Sequence, residues 1–190
     1  MDSHQLINYT SGNQEWGTPP EIVEAARKVM GVIHLDPASC YKANLRVLAN
    51  HYYNKVDNGL DQRWGGNVWL NWPFGRKENY LWVNKLIHEW TIGHIDQACC
   101  ICYAATSEAW FKPLKNFPIC FLHGRTNYID LSTGLQVKGV SKGSCVTYLG
   151  HNLAAFDKYF SPLGDVMWPS WYVDRTFFRG SFDYECKAAA

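Results

Sequence analysis

Asn67-Val68-Trp69-Leu70-Asn71-Trp72-Pro73-Phe74-Gly75 is a hydrophobic run that stops on a polar residue, followed closely by a proline and an aromatic ring. The run reads as a β-strand; Pro73 cannot continue a sheet, so the strand ends near Asn71 and its carboxyl end meets a turn. After the turn the pattern becomes helical, over about residues 78 to 91, with Leu81, Val83, Leu86, Ile87 and Trp90 set inward. Strand, turn and helix form the repeating unit of an α/β sheet.

Outward from that stretch the unit recurs. Thr18-Pro19-Pro20-Glu21 opens a helix over residues 20–30, with Ile22, Ala25, Ala26 and Met30 on one face and Gly31 at its end. Val32 to Asp36 is a β-branched strand halted by Pro37, and Ser39 is placed to cap a helix carrying Tyr41, Leu45 and Leu48. Ala98 to Ala104 is apolar throughout, as expected of a central strand covered on both faces, and Ser107 can cap a helix through Trp110, Phe111 and Leu114. Two further strands, 118–122 and 145–149, are joined by a loop at 127–143 that holds no helical pattern, which predicts antiparallel pairing. The fold class is therefore α/β: a three-layer, Rossmann-like sheet, mostly parallel, with a C-terminal antiparallel hairpin. Pro37 to Gly66 is barely long enough for one βαβ unit, so the sheet is expected to be reduced after its first strand.

The 190 residues predict a single domain, with 1–14 as a flexible N-terminus, 165–190 as an aromatic C-terminal tail and 187–190 as an appended remnant. That tail (Trp168, Trp171, Tyr172, Phe177, Phe178) would seal the core or mediate self-association. Eighteen Lys and Arg against 17 Asp and Glu exclude binding to nucleic acid by bulk charge, so a basic face must be local. With 47% hydrophobic residues, no apolar run of about 18 and no charged-then-apolar leader, a soluble intracellular protein without a membrane span is expected. Seven cysteines at irregular spacing read as reduced thiols. Cys99 and Cys102 have C-x-x-C spacing, but three-apart residues of a strand face opposite ways, so they read as core and no metal is expected. Nine Trp, eleven Tyr and nine Phe exceed what a core of this size needs, a surplus that suits stacking on bases.

In open α/β sheets ligands bind outside the carboxyl ends of the strands, where this chain places Asp36-Pro37-Ala38-Ser39 and Asn71-Trp72-Pro73-Phe74. The second tetrapeptide suits methylation of an exocyclic amine. Adenine N6 is a poor nucleophile because its lone pair is delocalised, and acceptors for the amine hydrogens raise its reactivity. The Asn71 side-chain oxygen and the main-chain carbonyl of Trp72 could serve, while Phe74 stacks on a base taken out of the helix. Neither a strong base nor a metal is required if the methyl group arrives on a sulfonium.

Glu15-Trp16-Gly17-Thr18-Pro19-Pro20, Leu35-Asp36-Pro37-Ala38-Ser39 with Ala43-Asn44, His51-Tyr52-Tyr53, Asp57-Asn58-Gly59-Leu60, Trp64, Gly66 and Val68 to Gly75 together resemble the phage-type DNA N6-adenine methyltransferase family. Looser similarity extends through Trp82-Val83-Lys85-Leu86, Trp110-Phe111 and Phe121 to Arg125, so it spans roughly residues 15 to 150. The resemblance implies a methyltransferase sheet and S-adenosylmethionine as cofactor. Thr18 and Pro19 would lie near its methionine portion, Asp36, Pro37, Ala38 and Ser39 would form its main loop, and Asp57 would accept from its adenine amine. Asn71, Trp72, Pro73 and Phe74 would be the catalytic loop. Two departures stand out: Trp72 replaces the family's usual proline, and no Gly-x-Gly loop follows Asp36, which predicts modest cofactor affinity. Asp57-Asn58-Gly59 also reads as an ordinary turn.

DNA is the implied partner. Residues 105–150 carry Lys112, Lys115, Arg125, Lys138 and Lys142 against Glu108 and Asp130, and Arg76 and Lys77 follow the catalytic loop. Arg76, Lys77, Arg125, Lys138 and Lys142 are the candidate phosphate contacts, and the 127–143 loop the candidate sequence reader. The resemblance places the protein in the cytoplasm of a bacterial host or phage-infected cell. Two rivals remain at this level: the same fold and cofactor acting on RNA or a protein amide nitrogen, and a catalytically silent DNA-binding phage accessory protein.

Overall fold

The computed structural model describes residues 16–75, 77–137 and 140–169. The expectations for residues 1–14, for Arg76 and Lys138, and for the tail beyond residue 169 lie outside the described residues.

In chain order the elements are β1 (Trp16–Gly17), α1 (Pro20–Met30), β2 (Leu35–Asp36), α2 (Tyr41–Val47), β3 (His51–Tyr52), β4 (Gly66–Leu70), α3 (Glu78–Thr91), β5 (Ile95–Tyr103), a 3-10 helix (Ala109–Asn116), β6 (Ile119–Leu122), β7 (Ile129–Asp130), β8 (Ser144–Leu149), α4 (Leu153–Phe160) and β9 (Gly164–Met167). Seven strands form one sheet in the order β3-β2-β4-β5-β8-β6-β9. β3, β2, β4 and β5 run parallel, β8 lies antiparallel between β5 and β6, and β9 closes the far edge antiparallel to β6. The β6–β8 pair is the antiparallel hairpin expected from the sequence, and five of the seven strands share one direction. Residues 53–65, between β3 and β4, are turns without a helix, which is the reduction expected after the first strand.

The two sides of the sheet follow the two-residue period of its strands. Cys99, Ile101, Val146 and Tyr148 face α1 and α4, where Ile22, Val23, Ala26, Phe156 and Phe160 meet them. Ala98, Cys100, Cys102 and Cys145 face α3 and the 3-10 helix, against Trp82, Val83, Leu86, Phe111 and Leu114. No helix of the described residues is long and apolar enough to cross a membrane, and no three of their His, Cys, Asp or Glu side chains gather as metal ligands would.

Several local expectations are corrected. α2 starts from Cys40 with no side-chain cap, so Ser39 is not its cap. Tyr41, Leu45 and Leu48 point to solvent, because this short edge helix turns Ala43, Arg46 and Val47 toward the interior instead. In α3 the inward face carries Trp82 rather than Leu81. That face also buries Asn79 and Glu89, both partnered: Asn79 Oδ1 accepts from the Trp72 indole at 2.8 Å, and Glu89 meets Lys85 and His94, each at 2.7 Å. The segment after Ser107 is a 3-10 helix holding Pro113, entered from Glu108 without a side-chain cap.

Candidate active site

Asn67 fixes the register of the two strands that carry the site. Its backbone N–H donates to His34 Nδ1 at 2.9 Å, and its amide donates to Met30 O and Val32 O. The ends of β2 and β4 therefore stand side by side, and a cavity of about 300 Å³ opens over them. Its walls are Trp16 to Thr18, Asp36 to Cys40, the inner side of α2, Tyr53 to Lys55, Asn58 to Leu60, Asn71 to Pro73, Glu78 and Trp82, with Leu131 reaching in from the loop after β7.

Among residues expected to hold a cofactor, Thr18, Asp36, Pro37, Ala38 and Ser39 line this cavity; Pro19 and Asp57 do not. Pro19 begins α1. Asp57 Oδ2 accepts the Asn54 N–H at 2.9 Å, while Asn54 Oδ1 accepts the Val56 N–H at 2.7 Å, so Asp57 stabilises the turn whose neighbours Asn54, Lys55 and Asn58 reach the cavity. Asp36 is 2% exposed, and burial pushes its carboxyl up to about 7. The nearby Ser39 hydroxyl, which closes no hydrogen bond, and the Ala38 N–H offset part of that rise.

Asn71 is held by its nitrogen. Nδ2 donates to Trp16 O at 2.8 Å and to Thr18 Oγ1 at 3.0 Å, which orients the amide and leaves Oδ1 as an acceptor with no partner among the described residues. Trp72 lines the cavity, yet its side chain is buried, with the indole bonded to Asn79 and packed edge-on to Phe74 and Trp110. Trp72 thus anchors the loop to α3. Phe74 is not a lining residue; its ring lies 4.5 Å from Tyr103 and 5.7 Å from Tyr128, an aromatic cluster beside the Asn71 turn. Lys142 Nζ stands 5.2 Å over Tyr103, and Arg125 lies against Gly143; Lys77 is exposed at the start of α3.

Gly59 shows how closely the cavity loops pack. A Cβ there would stand 1.9 Å from Pro37 O. The obstacle is backbone, so Gly59→Ala is expected to displace the Asp36–Ser39 loop and cost about 1–3 kcal/mol in a urea melt. A melt identical to the wild type's would mean that the two loops do not touch.

Trp16, Gly17, Arg46, Glu78 and Leu131 enter the site without having been expected there. Part of the 127–143 loop, the candidate sequence reader, is also tied to the cavity: Trp16 pairs with Asp130 and Gly17 with Ile129. Two-residue strands have no periodicity to read.

A mixed α/β protein with a mostly parallel sheet and a cavity at the carboxyl ends of its strands is compatible with a Rossmann-like methyltransferase fold. Residues 8–158 match the model of the DNA N-6-adenine-methyltransferase (Dam) family, and the chain belongs to that family. Its general activity is therefore methylation of adenine N6 in DNA. A search of the curated proteins finds no match.

Proposed function

We propose that the chain transfers a methyl group from S-adenosylmethionine to N6 of an adenine turned out of the DNA stack, using Asn71, the Trp72 main chain, Pro73 and Phe74. The observation that carries this reading is the Asn71 amide, oriented by Trp16 and Thr18 so that only its oxygen is left for a ligand.

The cavity suits the cofactor. About 300 Å³ lies at the lower end of small-molecule pockets. Two lining residues, Ser39 and Trp69, hold buried polar atoms with no protein partner, Ser39 Oγ and Trp69 Nε1, as expected of groups that a polar ligand satisfies. Thr18, Asp36, Pro37, Ala38 and Ser39 would hold it, with Pro19 setting the start of α1 and Asp57 acting only through the turn it stabilises. When bound, S-adenosylmethionine supplies a methyl carbon made electrophilic by its sulfonium.

The protein's own contribution is acceptors and alignment. Asn71 Oδ1 and the Trp72 carbonyl, which accepts no backbone hydrogen bond among the described residues, take the two amine hydrogens. Those contacts strengthen as the nitrogen gives up its lone pair and its hydrogens gain positive charge. Phe74 offers a ring face to the base, with Tyr103 the side chain that must yield or extend the platform. Arg125 and Lys142 stand beside the aromatic cluster, and with Arg76, Lys77 and Lys138 are the proposed phosphate contacts.

The test is transfer of labelled methyl to unmodified DNA, followed by digestion to nucleosides. N6-methyladenine should carry the label. Phe74→Ala should lower kcat/KM for DNA about 10- to 100-fold, with cofactor affinity retained because the ring lies off the cavity. Label recovered in RNA or protein instead, or full activity in the Phe74 variant, would refute this assignment.

A further inference from the structure

We propose that Arg46 is the anion-binding end of the cavity and takes the α-carboxylate of the cofactor's methionine portion, an inference that rests on the methyl-donor reading above. Arg46, on α2, lines the cavity, as do Val47, Trp16, Gly17 and Leu131. Its guanidinium spans toward the turn after β7, where Nη2 stands 4.0 Å from the position a Cβ on Gly134 would take.

Arg46 makes no ion pair among the described residues, and two acids near α2, Asp130 and Glu24, are engaged elsewhere. Asp130 Oδ1 accepts from the Ser132 N–H at 2.7 Å and the Ser132 hydroxyl at 2.6 Å, and Lys42 is the cation that acts on it. Glu24 is paired with Arg27, whose other nitrogen binds Arg46 O and Val47 O and so closes the end of α2. The cavity's other lining cation, Lys55, is exposed, whereas Arg46 is half-buried.

A half-buried arginine with no protein counter-charge can take an anion, and its planar fork of donors matches a carboxylate in two parallel hydrogen bonds. Asp36, the buried acid of the same cavity, forms no salt bridge with Arg46. The buried acid of the pocket, Asp36, and its half-buried cation, Arg46, are thus separately placed, with Glu78 and Lys55 elsewhere in the lining. That is the complement of a zwitterion, and the amino-acid end of S-adenosylmethionine is one: ammonium and carboxylate on a single carbon.

Equilibrium binding of two ligands to two proteins tests the inference. Wild type should bind S-adenosylmethionine about 10- to 100-fold more tightly than its decarboxylated analogue, the span of one charge-assisted contact. Arg46→Gln should erase that preference by weakening only the carboxylate-bearing ligand, and Arg46→Lys should restore part of it. Equal affinities in the wild type overturn the inference with no variant needed. So does a preference that persists in Arg46→Gln, an equal loss for both ligands, or a loss confined to DNA binding, which would make Arg46 a phosphate contact. Failure of the wild type to bind either ligand would instead remove the methyl-donor reading, and this inference with it.

Discussion

Asn71→Asp is expected to lower methyl transfer by about 10²- to 10³-fold, the loss typical of removing one aligned polar contact at a reacting centre, although the two side chains have nearly the same shape. The reason is the direction of the amide. Its nitrogen faces Trp16 O at 2.8 Å, and a carboxylate would put an acceptor against that carbonyl, which cannot turn into a donor. Thr18 could rotate its hydroxyl to adapt, but the Trp16 main chain could not. The variant must either leave two part-buried acceptors opposed, at about 1–3 kcal/mol, or swing the side chain and lose the aligned oxygen. Asn71→Ala should show a similar loss for a different reason, having no acceptor at all. Single-turnover rates with saturating cofactor separate chemistry from binding. An aspartate variant as fast as the wild type would show that β1 does not set the orientation of the amide.

Asp36→Asn is expected to abolish a pH dependence of stability that the wild type should display. Burial holds the Asp36 carboxyl up to about 7 in the folded protein, whereas an unfolded aspartate titrates near 3.9. Between those values the folded state binds the additional proton, so stability is highest near and below pH 4, falls as pH rises, and levels off above about pH 7. The full span corresponds to about 4 kcal/mol. Urea midpoints of the cofactor-free protein at pH 5 and pH 8 should therefore differ in the wild type, and the asparagine variant should lose most of that difference and be the more stable at pH 8. Parallel profiles would show that the carboxyl is not desolvated. A bound cation reverses the cost: if the donor's ammonium meets Asp36, binding near pH 6 releases a proton, visible as heats that change with the ionisation enthalpy of the buffer.

The strand ends and the long helices were legible because their signals are local. Pro37 and Pro73 stop β2 and β4 soon after Asp36 and Leu70, and 20–30 and 78–91 carry enough turns for a helical period to be counted. Short elements were misread where periodicity has too few turns to choose a face. Tyr41, Leu45 and Leu48 space like a buried stripe in α2, yet all three are exposed, since an edge helix of seven residues is oriented by what it packs against. Leu81 lost its place to Trp82, which packs into the core with Val83 and Leu86 on the face of α3 that also holds the partnered Asn79 and Glu89.

Of the residues lining the cavity, Asp36 to Ser39 and Asn71 to Pro73 could be named in advance, as short segments that open on a polar residue where a strand runs out. Arg46 and Leu131 carried no such mark, and Asp57 was a turn signal that the fold used as a turn. The chain by itself determined the α/β alternation, the two strand ends and the polar chemistry stationed there, for these follow from neighbours along the backbone. Only the tertiary structure decided which way the Asn71 amide points, what closes the cavity and which of its lining cations is half-buried. Each of those depends on groups far apart in sequence, Trp16 with Asn71 or Trp16 with Asp130, whose meeting is set by the packing of the whole sheet.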